Sequence, residues 1–396
     1  MHFREEIRFI ESHLRDQVMP FWLEHCLDRV RGGLNNCVAD DGTVLSTDRF
    51  LWSQGRALWT FSALFHEFDG DPRWLEAADL VARFLFETGP LADGAWPFKR
   101  SADGAALQGA ESVYADAFVV YGMTEYARAA GNQRALEVAV RGYERVSPLL
   151  DDHSRLPTAP HAIPAGAQSH GPSMIFALVF HELGLATGDR AILGRALELA
   201  EKVMTQHWKP ELGVLLEFVR PGGERLDSDA GKTFLAGHAL ESMWFMERIY
   251  AHHGREDRVA QAMAAIRSHV EKGWDAEFGG LTLASHLDGG KPVWHQPDAK
   301  VWWPHTEALV ALLRAYEVTG EAWALEWYER VRDYAFRMFP DREHGEWRQN
   351  LDREGRPIGV VVKGLQVKDP FHLPRALIYC AQSLRRLAGA GGVGQG

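Results

Sequence analysis

Residues 306–339 read TEALVALLRAYEVTGEAWALEWYERVRDYAFRMF. Up to Gly320 the stretch is apolar around most of a helical circumference, which marks a helix enclosed by neighbours. Beyond Gly320, apolar and charged residues alternate at helical spacing, so one face is solvated. Glycine at the junction suits the left-handed position that ends a helix, and Glu321 opens the next one. An enclosed helix followed by a one-faced helix is a unit with an inner and an outer layer.

The unit repeats. Inner-type helices read RALWTFSALFHEFDG, YADAFVVYGMTEYARAAG, PSMIFALVFHELGLATG and GHALESMWFMERIYAHHG, ending at Gly70, Gly131, Gly188 and Gly254. Each is followed by an outer-type helix, from DPRWLEAADLVARFLFE to REDRVAQAMAAIRSHV. The chain begins with an outer-type helix, EIRFIESHLRDQVMPFWLEHCL, and closes with an inner-type one, PRALIYCAQSLRRLAG. Six of each predict an all-α fold, the (α/α)6 barrel. Closure into a toroid, rather than an open solenoid, follows from that count and from the lack of polar capping repeats. The intervening stretches DGAWPFKRSADGAAL, ELGVLLEFVRPGGERL, EFGGLTLASHLDGGKPV and HGEWRQNLDREGRPI each hold a Gly/Asp turn between two short runs, and predict hairpins. They gather with the inner-helix N-termini at one end, where a pocket belongs. A single domain over 1–388 and a flexible Gly-rich tail over 389–396 complete this expectation.

Composition narrows the function. With 396 residues, 46% of them hydrophobic, the chain could hold two or three ordinary domains or one large helical barrel. Its net charge of −11 is not blocked into runs, which argues against a nucleic-acid partner. The charged, amphipathic N-terminus is no signal peptide, and no apolar run approaches membrane-spanning length. Three scattered cysteines fit reduced thiols and a cytoplasmic location. Fourteen tryptophans suit sugar rings, because an indole stacks and also donates, although large helical cores use them too.

Polar and aromatic residues collect where each inner helix begins. The six groups are Trp52, Gln54, Arg56 and Trp59; Tyr114 and Asp116; His170; His238, Glu241 and Trp244; Trp302, Trp303, His305 and Glu307; and His372 with Arg375. Local explanations exist for some. Pro304 and Glu307 suit a helix start, His238 and Glu241 reach each other three residues apart on one face, and His170 alone reads as structural. The convergence at six helix starts is what points to a site. Two histidines can move protons near pH 7 from opposite sides of a substrate. Arginines and helix N-termini can stabilise the anion left when a proton leaves carbon next to a carbonyl. No HExxH, HxH or cysteine cluster calls for a metal, and no P-loop or dinucleotide fingerprint for a cofactor.

The segments WSQGRALW, PSMI, GHALESMW, KVWWPHTEAL, HGEWRQNLDREGRPI and FHLPRAL, in this order over residues 45–380, resemble the N-acylglucosamine 2-epimerase superfamily. The resemblance implies an (α/α)6 barrel and a cofactor-independent sugar 2-epimerase. Such an enzyme interconverts N-acyl-D-glucosamine and N-acyl-D-mannosamine, or related aldoses, through an enediolate. The alternative on the same scaffold is an aldose–ketose isomerase taking mannose to fructose. By resemblance His238 and His372 are the catalytic pair, and Arg56 stabilises the intermediate at the carbonyl oxygen. Glu241, Trp303, Glu307 and Arg375 fall on family active-site positions, with Tyr114 a looser match; Trp302 and His305 join them as expected substrate contacts. The third inner helix has Ile175 where isomerases and cellobiose epimerases usually carry a histidine, which favours the N-acyl branch. The implied partner is a small sugar; family members are often homodimers.

Overall fold

The computed structural model describes residues 1–359, 362–364 and 368–390. Twelve principal helices alternate between two layers. The outer ones are α1 (Phe3–Ser12), α3 (Pro72–Thr88), α5 (Gln133–Val146), α7 (Arg190–Lys202), α9 (Glu256–Gly273) and α11 (Ala322–Met338). The inner ones are α2 (Leu51–Ala63), α4 (Val113–Ala130), α6 (His170–Thr187), α8 (Ala236–His252), α10 (Trp302–Thr319) and α12 (His372–Ala390). The expected tail falls mostly on 391–396, outside the described residues, and α12 itself runs to Ala390.

Burial separates the layers as the patterns predict. In α6 every residue from His170 to Gly184 is buried. In α5 only Ala135, Ala139, Gly142 and Val146 are, a single stripe at spacings of four and three. The inner helices α4, α6 and α10 end on left-handed glycines, Gly131, Gly188 and Gly320. Packing is tightest between α2 and α4, where a Cβ at Gly122 would lie 2.3 Å from the Gly55 carbonyl oxygen. The N-terminal outer helix departs from an even α-helix: wide turns of the i→i+5 type follow α1 at His13–Val18 and Trp22–Cys26, on either side of Pro20. Pro20 supplies no N–H and crowds the carbonyl one turn back, so the ladder loosens around it.

The ring closes where α12 meets α2. Trp59 of α2 packs against Tyr379 of α12 with ring centroids 5.9 Å apart, and Gln382 donates to Glu67 at 2.9 Å. In the outer layer Tyr328 of α11 donates to Glu6 of α1 at 2.9 Å. At the C-terminal ends of the inner helices every neighbouring pair is clasped by a polar link. These are His66–Glu125, Arg128–Glu182, Arg248–Glu182, Arg314–Glu247, Arg386–Glu317 and Gln382–Glu67.

At the other end lie the short strands, and here one expectation needs correction. Lys99–Arg100 pairs with Ala106–Gln108 next to its own predicted turn, and Leu351 bridges Pro357 within HGEWRQNLDREGRPI. Elsewhere the strand just before an inner helix pairs with one in the following loop: Gln168–Ser169 with Phe218–Val219, Thr233–Phe234 with Ser285–His286, and Lys300–Val301 with Asn350–Leu351. Strands this short gain little by standing alone, so these loops also lean on their neighbours. Cys37–Ala39 even pairs with Val362–Gly364, across the seam of the ring.

Candidate active site

An inner helix buried on all sides has no solvent for its polar residues, so they must satisfy each other. At the N-terminal ends of α2, α8, α10 and α12 they do so around two histidines. His372, the first residue of α12, places Nδ1 2.7 Å from Glu307 Oε1 of α10. Its Nε2 lies 3.3 Å from the Arg56 guanidinium of α2. Arginine only donates, so Nε2 is the accepting, unprotonated nitrogen and Nδ1–H points at Glu307. Burial first, and then the charge of Arg56, hold the His372 pKa well below the ordinary imidazole value.

His238 of α8 lies across from it. Trp303 touches both, its ring centroid 5.0 Å from that of His238 and 5.7 Å from that of His372. His238 is the more open, with 25% of its side chain exposed against 10% for His372. Its Nδ1 is 2.9 Å from Oε2 of Glu217, a residue of the loop before α8. Burial opposes a charge on His238, but Glu217 outweighs it and the pKa is raised. The two histidines are thus biased in opposite directions, His372 toward its neutral form and His238 toward its charged form.

Behind His372, Glu307 accepts from Arg375 at 2.7 Å and from the Trp244 indole at 3.0 Å. Arg375 also bonds Glu241. Arg56 sits among Trp52, Phe118 and Phe371, at 4.7, 4.0 and 4.7 Å from their ring centres, and 3.7 Å from Asp369. Burial lowers its pKa to about 10, with Asp369 opposing the fall, so it stays charged. Tyr114 packs on Trp52 at 5.2 Å beside the start of α6.

The structure thus gathers His238, His372, Arg56, Tyr114, Glu241, Trp303, Glu307 and Arg375 at one mouth. Two expected substrate contacts differ. His305 is fully buried, its Nδ1 2.7 Å from the Val301 carbonyl and its Nε2 accepting from Leu281 N at 2.9 Å. Stacked on Tyr334, it has no free nitrogen for a ligand. Trp302 is 3% exposed and faces Lys368, so it backs the site rather than opening onto it. The local His238–Glu241 pair is absent too, because Arg375 takes Glu241. Sequence reasoning missed Glu217 and Asp369. Glu217 interrupts the apolar run Val214–Val219, and a lone charge in such a run needs a buried partner.

The chain is thus an (α/α)6 barrel that brings two histidines and an arginine together at one mouth. The family profile described as N-acylglucosamine 2-epimerase matches residues 32–373, and the chain belongs to that family. It is accordingly an isomerase of the carbohydrate epimerase kind. It is 33% identical to the N-acylglucosamine 2-epimerase of Bos taurus over 392 residues, covering 94% of this chain and 90% of that one. Its fold is similar to that of cellobiose 2-epimerase from Bacillus thermoamylovorans B4167, with TM-score 0.84, 22% identity and coverage of 97% and 100%. It is also similar to a D-mannose isomerase structure, with TM-score 0.80, 19% identity and coverage of 96% and 98%. Among the described residues no helix is long and apolar enough to cross a membrane.

Proposed function

We propose that this protein interconverts N-acyl-D-glucosamine and N-acyl-D-mannosamine by moving the C2 proton, without a cofactor. The observation that carries the reading is the pair of oppositely biased histidines that share Trp303 as a neighbour. In the open-chain sugar His372 Nε2 takes the C2 proton. The electron pair of the C2–H bond forms the C1–C2 double bond, and the carbonyl pair moves onto O1. The oxyanion is stabilised by Arg56, which the departing proton displaces from Nε2. His238 then returns a proton to C2 from the other face, the O1 pair re-forms the carbonyl, and the configuration is inverted. Trp303, beside both bases, supplies an apolar face on which a pyranose or its opened chain can lie.

Incubation with N-acetylmannosamine in D2O, followed by NMR, tests this. N-acetylglucosamine carrying deuterium at C2 is the expected product. Formation of fructose from mannose with no reaction of the N-acetyl sugar would overturn it in favour of the isomerase, in which the proton reaches C1. The reading also carries a cytoplasmic location and a homodimer, to be checked by fractionation and light scattering.

A further inference from the structure

Each histidine of the pair leans on a glutamate, but the two glutamates are not in the same electrostatic position. Glu307, behind His372, already has a full cation in Arg375 at 2.7 Å, and Arg56 bears on the same imidazole from the other side. Glu217, behind His238, is 4% exposed and among the described residues pairs with no lysine or arginine. Its partners are His238 at 2.9 Å, His170 Nδ1 at 3.7 Å and the Ser169 hydroxyl at 3.4 Å from Oε1. Its backbone is pinned from both sides: its carbonyl accepts from His170 N at 3.0 Å, and its N–H donates to Thr233 O at 3.3 Å. A buried carboxylate with no permanent cation draws a proton onto the nearest base.

We propose that Glu217 is a positioning residue that keeps His238 protonated in the free enzyme, so that His372 is the ready base for the epimer whose C2 proton faces it. The proposal rests on the epimerase reading for its consequence but not for its test. His170 is the rival for that charge. It is fully buried, and its Nε2 lies 2.9 Å from Ser242, away from the carboxylate. Burial lowers its pKa, whereas that of His238 is raised. The other titratable groups bearing on His238 are Glu241 of its own helix, Glu307 of α10, His372 of α12 and His161 of the loop before α6. Of these carboxylates Glu241 and Glu307 are both bonded by Arg375, which leaves Glu217 as the decisive one.

Glu217→Gln keeps the shape and removes the charge; Glu217→Asp keeps the charge on a shorter arm. In the free protein, NMR titration of the His238 ring, assigned with His238→Asn, is expected to move down by a unit or more in the Gln variant and to stay raised in the Asp variant. An unmoved titration in a folded Gln variant overturns the proposal. Turnover of N-acetylmannosamine and N-acetylglucosamine is then followed against pH. The alkaline limb of kcat/KM should move to lower pH in both directions alike, with the acid limb unchanged, losing about tenfold per unit above it. A uniform drop in rate without a moved limb means a structural role only, and also overturns it. If the native protein turns over neither sugar, the epimerase reading fails while the titration still decides the role of Glu217.

Discussion

A methyl group at Gly237 would come within 2.7 Å of both Pro304 Cβ and the Trp303 ring. That explains the glycine of GHALE: it lets α10 lie against α8 so that Trp303 reaches both histidines. Gly237→Ala should displace Trp303, and misplacement of this order can cost about a hundredfold in kcat; the check is kcat alongside an unchanged circular dichroism spectrum. Arg56→Ala removes the group facing the developing oxyanion and should lower C2–H exchange by about 10²–10³-fold, read by deuterium uptake. His305→Phe should behave otherwise. It strands the buried Leu281 N–H and Val301 carbonyl, costing about 1–3 kcal/mol in urea unfolding, while the folded fraction keeps its turnover. His305 sits two residues from Trp303 in sequence, so its type and position suggested a ligand contact. What removed it from the site was the backbone of another loop, which no spacing reveals.

At the level of elements, three turns share one device. Asp28, Asp275 and Asp341 each follow an outer-layer helix and accept from backbone N–H groups two and three residues on. Each also takes a buried cation from the strand or loop ahead: Arg49 at 2.6 Å, Lys300 at 3.0 Å and Lys363 at 2.7 Å. Lys363→Met leaves Asp341 buried beside His344 alone and should cost about 3–5 kcal/mol in denaturant unfolding. Burial pushes the Asp341 pKa up, but its bond to Lys363 outweighs this and holds it down at about 2. Its contribution is therefore complete above the ordinary carboxylate range and is lost as pH falls toward 2. Asp341→Asn should flatten acid unfolding between pH 4 and 2.

The helices themselves were readable because enclosed and one-faced patterns differ along the chain. The glycine stops were equally legible, since only a left-handed residue ends those helices cheaply. The strands were legible as turn-rich runs, but their partners were not: pairing across repeats is set by how the helices place neighbouring loops. The two histidines proposed as catalytic, and Arg56, were reached through the family's motifs together with their shared position at helix starts. Glu217 and Asp369 lie outside those motifs' named positions, and their roles come from what they touch once buried, His238 and Arg56.

On the scale of the whole molecule, the two ends of the barrel do separate work. The histidines occupy the end where the inner helices begin, and the polar clasps lie at the end where they finish. Glu182 bonds Arg128 at 2.9 Å and Arg248 at 2.6 Å, linking α6 to both neighbours. Glu182→Gln should lower stability by about 3 kcal/mol and leave kcat within twofold, measured by thermal unfolding and by turnover.

The seam between α12 and α2 has one more consequence. His372 comes from the last inner helix and Arg56 from the first, so the proposed base and its oxyanion partner are separated by 316 positions and meet only when the toroid shuts. A ribosome has made five inner helices before the base exists at all, and a chain cut short of α12 is an open crescent with no base. Turnover therefore doubles as a gauge of circularity: whatever pries the seam apart silences the enzyme before it unfolds the helices.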